Sequence, residues 1–174
     1  MPDIFLGFVF EEEKERELLK ISRGVQTAAN QYQKGFLAGF GREMEIFSVL
    51  CVPIYPRGCR RLRFQGETVR TAFGNMTYVP FLNLPQIREY WQEWYLYRVL
   101  SRKLKETSED ITIYVYSLYL PFLRVMRRLK QKYGTRIRYC LILPDLAGEY
   151  GIMRRKCTLR GIKDRLEAKQ KMSL

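Results

Sequence analysis

The chain has 174 residues, 47% of them hydrophobic, and carries 31 Lys and Arg against 18 Asp and Glu with no His, a formal charge of +13. That apolar fraction is ordinary for one folded domain and excludes a disordered polyelectrolyte, while the lack of imidazole excludes histidine acid-base catalysis and disfavours a metal centre. Cys51, Cys59, Cys140 and Cys157 show no paired metal-ligand spacing, and two of them fall in predicted strands, where reduced thiols act as small apolar fillers; a reducing cytoplasm is the expected home.

In chain order, Asp3 to Phe10 is a short apolar run that reads as a strand, and the charged stretch Glu11 to Gly24 reads as a loop before a helical pattern from Val25 to Phe40. Glu45 to Val52 is a second strand. Turn residues at Pro53, Pro56, Gly58, Gly66 and Gly74 then bracket two weaker β-like pieces, Arg61 to Phe64 and Thr68 to Phe73, which suggest a ribbon or an edge. A long helix is expected from near Pro85 to Lys105, because proline in the first turn gives up an amide hydrogen that has no partner there. Ile111 to Ser117 is the third good strand, Leu120 to Tyr133 a helix stopped by Gly134, and Ile137 to Pro144 the fourth strand. The boundary is drawn at 157, with a helical or frayed basic tail over 158–174.

Strands that alternate with helices and are apolar almost throughout predict an α/β fold, a Rossmann-like mostly parallel sheet with helices on both faces. Ligands in such sheets bind beyond the carboxyl ends of the strands, where strand order reverses. Four loops are therefore site candidates: Glu11 to Gly24, Pro53 to Gly58, Ser117 to Pro121 and Pro144 to Gly151. No basic leader precedes Asp3, and the longest apolar stretch, Ile111 to Leu123, is interrupted by Pro121 and too short to span a bilayer, so a soluble or membrane-surface protein is expected.

Charge is concentrated in three patches. From Leu120 through Pro144 there are seven Lys or Arg and no carboxylate, with Arg124, Arg127, Arg128 and Lys132 mostly along one helical face; this is the expected membrane or anion surface. Arg57, Arg60, Arg61 and Arg63 form the second patch. Arg154, Arg155, Lys156, Arg160, Lys163 and Arg165 form the third. One such patch alone is a solvated surface, but three together with the charge excess point to an anionic partner. The long helix carries Tyr90, Trp91, Trp94, Tyr95 and Tyr97 followed by Arg98, Arg102, Lys103 and Lys105. Helical spacing of Trp91, Trp94 and Tyr95 puts core packing ahead of a membrane interface, and that ahead of base stacking on nucleic acid, for which no recognition motif is present.

Three pieces taken in order carry a resemblance: Val25-Gln26-Thr27-Ala28-Ala29-Asn30-Gln31-Tyr32-Gln33-Lys34-Gly35-Phe36, then Tyr78-Val79-Pro80-Phe81-Leu82-Asn83-Leu84-Pro85-Gln86-Ile87-Arg88, then Ile113-Tyr114-Val115-Tyr116-Ser117-Leu118-Tyr119-Leu120-Pro121-Phe122-Leu123 with Cys140-Leu141-Ile142-Leu143-Pro144-Asp145-Leu146 after it. Together they resemble the amino-terminal half of bacterial two-domain glycosyltransferases of the GT-B type, family 4, which build cell-surface polysaccharides. The resemblance implies one half of a GT-B fold that handles a lipid-linked or surface-polysaccharide acceptor. The nucleotide-sugar donor is then expected on a carboxyl-terminal half, with no cofactor held by this chain. A separate donor-binding subunit, a truncated product and a domain of a longer enzyme each fit, and turnover by this chain alone is not expected.

Carried over residue by residue, the resemblance makes Ser22, Arg23, Gly24, Asn30, Ser117 and Tyr119 acceptor-side residues and Asp145 the candidate catalytic carboxylate. Gly24 would permit a tight turn, and the amides opening the next helix at Val25 to Thr27 could hold an anion. Ser22 reads equally as a loop residue or cap, Asn30 as an ordinary helix position, and Asp145 as a turn residue after Pro144. Tyr119 departs from the family, where histidine is common. The expected location is cytoplasmic and peripheral at the membrane face, and the competing expectation is a non-catalytic Rossmann-like module that binds nucleic acid or anionic membrane.

Overall fold

The computed structural model describes residues 3–41 and 43–144. Its elements are β1 (Ile4–Gly7), α1 (Glu12–Ile21), α2 (Thr27–Gly39), β2 (Met44–Ser48), β3 (Arg63–Phe64), β4 (Glu67–Thr71), β5 (Gly74–Tyr78), β6 (Phe81–Leu82), α3 (Ile87–Glu106), β7 (Ile111–Tyr116), α4 (Leu120–Tyr133) with a 3-10 turn at Gly134–Arg136, and β8 (Ile137–Ile142). The main sheet has the order β4-β5-β2-β1-β7-β8, and all its pairs are parallel except β4 with β5. The chain winds outward from β1 through β2 to β5, then returns to the other side of β1 with β7 and β8. Strand order therefore reverses between β1 and β7, the point at the carboxyl ends of the strands where folds of this kind place a ligand crevice.

Alternation along each strand divides the core in two, because successive side chains point to opposite faces. Ile4 and Leu6 of β1 join Ile111, Ile113 and Val115 of β7 beneath Leu96, Leu100 and Leu104 of α3 and Phe122, Val125 and Leu129 of α4. Phe5, Ile46 and Met76 face the other way, toward Leu18 of α1 and Leu37 of α2. Each fully buried leucine or isoleucine here stabilises the fold by about 1.5–3 kcal/mol relative to exposure. The α/β architecture with helices on both faces follows the sequence expectation.

Four local expectations are corrected. Glu11 to Gly24 is not a loop: α1 fills it, favoured by Glu12, Glu13 and Glu15 in its first turn, where carboxylates meet the positive end of the helix dipole. β5 is a full parallel strand, so five strands run parallel rather than four. Gly74, a turn signal by composition, is its first residue; a Cβ there would lie 2.0 Å from the Met44 carbonyl oxygen, at a φ of 124°. The glycine is needed because the strand backbones approach closely. Trp91 and Trp94 are exposed rather than core, since Gln92, Leu96, Leu100 and Leu104 take the inward face of α3. That helix also starts later than expected, with Pro85 one residue before its cap at Gln86.

β3 and β6 form a separate antiparallel ribbon in which Phe64 stacks on Phe81 at 4.6 Å. The β4 edge is charged, with Glu67 bound to Lys14 at 2.8 Å and Arg70 paired to Glu43, which discourages strand addition. None of the helices among the described residues is long and apolar enough to cross a membrane.

Candidate functional site

The two turns that flank the switch point are built from different chemistry. After β1, Phe8 donates its amide to Gln33 Oε1 at 2.8 Å. Phe10 donates its amide to Asn30 Oδ1 and accepts from Asn30 Nδ2, both at 2.9 Å. Ser48 Oγ donates to the Val9 carbonyl, and the Glu11 amide donates to the Tyr78 hydroxyl at 3.1 Å. Val9 and Phe10 are buried. A phosphate in the first turn of a doubly wound fold needs free amides and glycines that let it approach. Here the amides of Phe8, Phe10 and Glu11 are already bonded, aromatic rings occupy the turn, and Glu12, Glu13 and Glu15 open the helix. That bonding and the carboxylates at the helix start disfavour a phosphate.

The turn after β7 has no carboxylate in the helix that follows it. Ser117 leaves the strand at φ 73°, a left-handed conformation that a non-glycine residue adopts only under local constraint, and its amide donates to the Ile142 carbonyl at 2.9 Å. Tyr119 caps α4, and Pro121 lies in the first turn of that helix. The Tyr119 hydroxyl donates to Gln92 Oε1 at 2.6 Å, and burial pushes its pKa well above the usual phenol range. Gln92 is itself completely buried, and its Nε2 has no hydrogen-bond partner. Arg88 stands nearby, donating to the Val52 carbonyl at 2.7 Å and reaching Asn83 Oδ1 at 3.4 Å; its charge favours the ionised form of Tyr119, against the larger effect of burial.

Phe8 joins the two turns. Its ring lies 5.5 Å from Tyr119, 6.1 Å from Tyr116 and 5.4 Å from Phe122, and Tyr32 of α2 adds an exposed ring 6.0 Å from Tyr116. The switch point is thus aromatic: half-buried Phe8 and Tyr119 and exposed Tyr32 stand beside the buried rings of Tyr116 and Phe122, and the Tyr119 hydroxyl is spent on Gln92.

Ser22, Arg23 and Gly24 take a different place. Ser22 is largely buried, bridges Cys59 and donates its hydroxyl to the Gly24 carbonyl at 3.0 Å, while the Arg23 amide donates to the Gly58 carbonyl at 2.9 Å. Two of the expected site loops therefore zip together. The second of them continues to Asn83, which donates to the Pro53 carbonyl at 2.9 Å and so ties it to the start of α3. Gly24 has no left-handed backbone and open space around it, so no tight turn depends on it. At the opening of α2, Thr27 donates its amide to the Val25 carbonyl and its hydroxyl to Glu15, whose carboxylate disfavours a second anion at that end. Asn30 does not line the crevice, because both ends of its amide are spent on Phe10. No hydrogen bond joins Ser22, Arg23 or Gly24 to Ser117 or Tyr119 among the described residues. Asp145, the loop after Pro144 and the third basic patch lie outside the described residues.

The expected anion face of α4 is partly neutralised. Glu93 of α3 takes Arg124 at 3.7 Å and Arg128 at 3.3 Å, and the Arg128 guanidinium lies 4.0 Å over the Tyr97 ring. Lys132 sits 5.4 Å over Tyr133, which leaves Arg127 exposed without a partner among the described residues. Sequence reasoning missed Phe8, Arg88, Gln33 and Gln92. The signal was there for the glutamines: Asn30 and Gln33 are polar residues three apart on the apolar face of α2, and Gln92 stands four before Leu96 in the buried stripe of α3. The chain matches no protein-family model, no curated protein and no solved structure.

Proposed function

We propose that this chain is the acceptor-binding half of a glycosyltransferase. It would position a lipid-linked or surface-polysaccharide acceptor for transfer of a sugar from a nucleotide-sugar donor, with the donor held on a second Rossmann-like half. The observation that carries the reading is the asymmetry of the switch-point crevice. Its β1 turn has the amides of Phe8, Phe10 and Glu11 bonded and a glutamate-rich helix start behind them, while its β7 turn sets the rings of Phe8 and Tyr119 beside Ser117, with no carboxylate in the helix that follows. A saccharide has an apolar C–H face and a rim of hydroxyls, so an aromatic wall with a few polar groups suits it better than it suits a pyrophosphate. In the transfer, the acceptor hydroxyl oxygen bonds to the anomeric carbon, the bond from that carbon to the donor phosphate breaks, and the hydroxyl proton passes to a base. Asp145 is the residue assigned to accept it.

Affinity purification of the tagged chain from its native cells in mild detergent should bring down a stoichiometric partner with a second Rossmann-like half, and the pair should transfer radiolabelled sugar to a lipid-linked saccharide. Asp145→Asn in that pair should lower acceptor-dependent transfer without unfolding the domain. Absence of transfer with every donor half tried, together with no saturable binding of lipid-linked saccharide by this chain, would discard the proposal.

A further inference from the structure

We infer that the outward face of α3 is a docking surface for an anionic lipid bilayer. Ile87, Tyr90, Trp91 and Trp94 are 45%, 65%, 42% and 51% exposed, and their spacing of three, four and seven residues puts them in one stripe. The core face of the same helix is already filled by Gln92, Leu96, Leu100 and Leu104, so the stripe is not needed to fill the core. Trp91 also walls a groove of about 350 Å³ whose other sides include Phe64, Pro80, Phe81 and Leu82. Contiguous apolar surface on this scale marks an interaction site rather than scattered exposure.

The charge next to the stripe selects the partner. Arg98, Arg102 and Lys105 follow on the same helical face, all exposed, with the Arg98 guanidinium 5.4 Å from the Trp94 ring. Glu93 is turned away toward α4. A second copy of a chain with a formal charge of +13 would bring like charges together, so self-association is disfavoured. A stacked base needs an open ring face at each step along a charged track. Here the rings and the cations are segregated along the helix, over 87–94 and 98–105, and the two indoles are tilted 58° to each other. A helix lying in the plane of a bilayer uses that segregation directly: the indoles enter the headgroup boundary while the arginines and lysine meet anionic headgroups. The site is therefore on α3 and not on the half-neutralised face of α4. Its biological sense rests on the lipid-linked acceptor reading, but its test involves no sugar transfer, so either can fail alone.

The chain has only two tryptophans, and both are in the stripe, so tryptophan emission reports on this face alone. The full chain is mixed with vesicles of phosphatidylcholine alone, or with about one third phosphatidylglycerol. Anionic vesicles should shift the emission to the blue and co-sediment the protein; neutral vesicles should do so far less. Arg98→Glu, Arg102→Glu and Lys105→Glu together should weaken partition by about a hundredfold or more, and Trp91→Ser with Trp94→Ser should abolish it at the same lipid concentration. Arg127→Glu, on α4, should change partition by no more than about fivefold. Binding without a blue shift, undiminished binding by both α3 variants, or emission that responds to single-stranded oligonucleotide but not to vesicles would each overturn the inference.

Discussion

The turns after β1 and after β7 leave adjacent parallel strands at the same edge of one sheet, yet they are held in opposite ways. The first is held from outside its own segment: Asn30 and Gln33 of α2, Ser48 of β2 and Tyr78 of β5 bond the backbone of Phe8, Val9, Phe10 and Glu11, and acidic residues open the helix behind it. The second is held by fewer side chains: the left-handed conformation at Ser117, that residue's amide on the Ile142 carbonyl and one buried hydrogen bond from Tyr119 to Gln92. A backbone bonded to four side chains from other elements has less left for a ligand, whereas a strained turn beside a buried amide with an unused donor keeps capacity. The difference teaches that position in the fold nominates a site, and hydrogen-bond accounting decides which side of it is open.

The largest expected effect tests the closed turn. Asn30→Ala leaves the amide and carbonyl of Phe10 without partners in the core and should destabilise the protein by about 2–4 kcal/mol, read as a lower urea midpoint with an unchanged slope. A loss below about 1 kcal/mol would mean that water satisfies Phe10 and that the turn is not sealed. At Ser117 the comparison is sharpened by ordering two variants. Ser117→Val should cost about 1–3 kcal/mol and Ser117→Gly should be neutral or stabilising, because only glycine adopts φ near 73° without penalty. Equal stability of the two would show that the turn relaxes freely.

Tyr119 gives a pH signature of the open side. Its folded pKa is raised above the ordinary phenol value of about 10, chiefly by burial. Below pH about 10 both states keep the proton and the contribution is fully present; above it the unfolded state releases the proton first, so stability falls as pH rises toward the folded pKa. Tyr119→Phe should cost about 1 kcal/mol at neutral pH through the lost bond to Gln92, and should flatten the alkaline decline. Some slope should persist, since Tyr139 is raised in the same direction by burial. Identical alkaline profiles for the two proteins would remove Tyr119 from the buried network. The smallest effect is on α4: Arg124→Gln should cost no more than about 1 kcal/mol, because Glu93 keeps Arg128, and a cycle with Glu93→Gln would measure the coupling.

The expected strands at β1, β2, β7 and β8 were legible because each is a compact apolar run bounded by polar or turn residues. β5 was not, because Gly74-Asn75-Met76-Thr77-Tyr78 has polar residues at alternate positions and starts at a glycine; only the Met44 backbone, packed within van der Waals distance, explains that glycine. α1 was hidden by its charge, since Glu12, Glu13, Glu15 and Glu17, interleaved with Lys14 and Arg16, obscure the single buried leucine, Leu18, on which it docks. Of the expected site residues, Ser117 and Tyr119 stand at the switch point, while Asn30 and Ser22 serve the fold.

By itself the sequence determined the alternation of strands and helices, and hence a parallel sheet covered on both faces, because periodicity is a local property that burial enforces along each segment. It also determined the basic excess and the lack of imidazole chemistry. Tertiary structure alone decided which polar groups were already spent. Whether Asn30 faces a ligand or Phe10, whether Arg124 faces solvent or Glu93, and whether Trp91 and Trp94 face core or solvent depend on partners far apart in the chain. A spacing rule describes one element and contains no information about what packs against it.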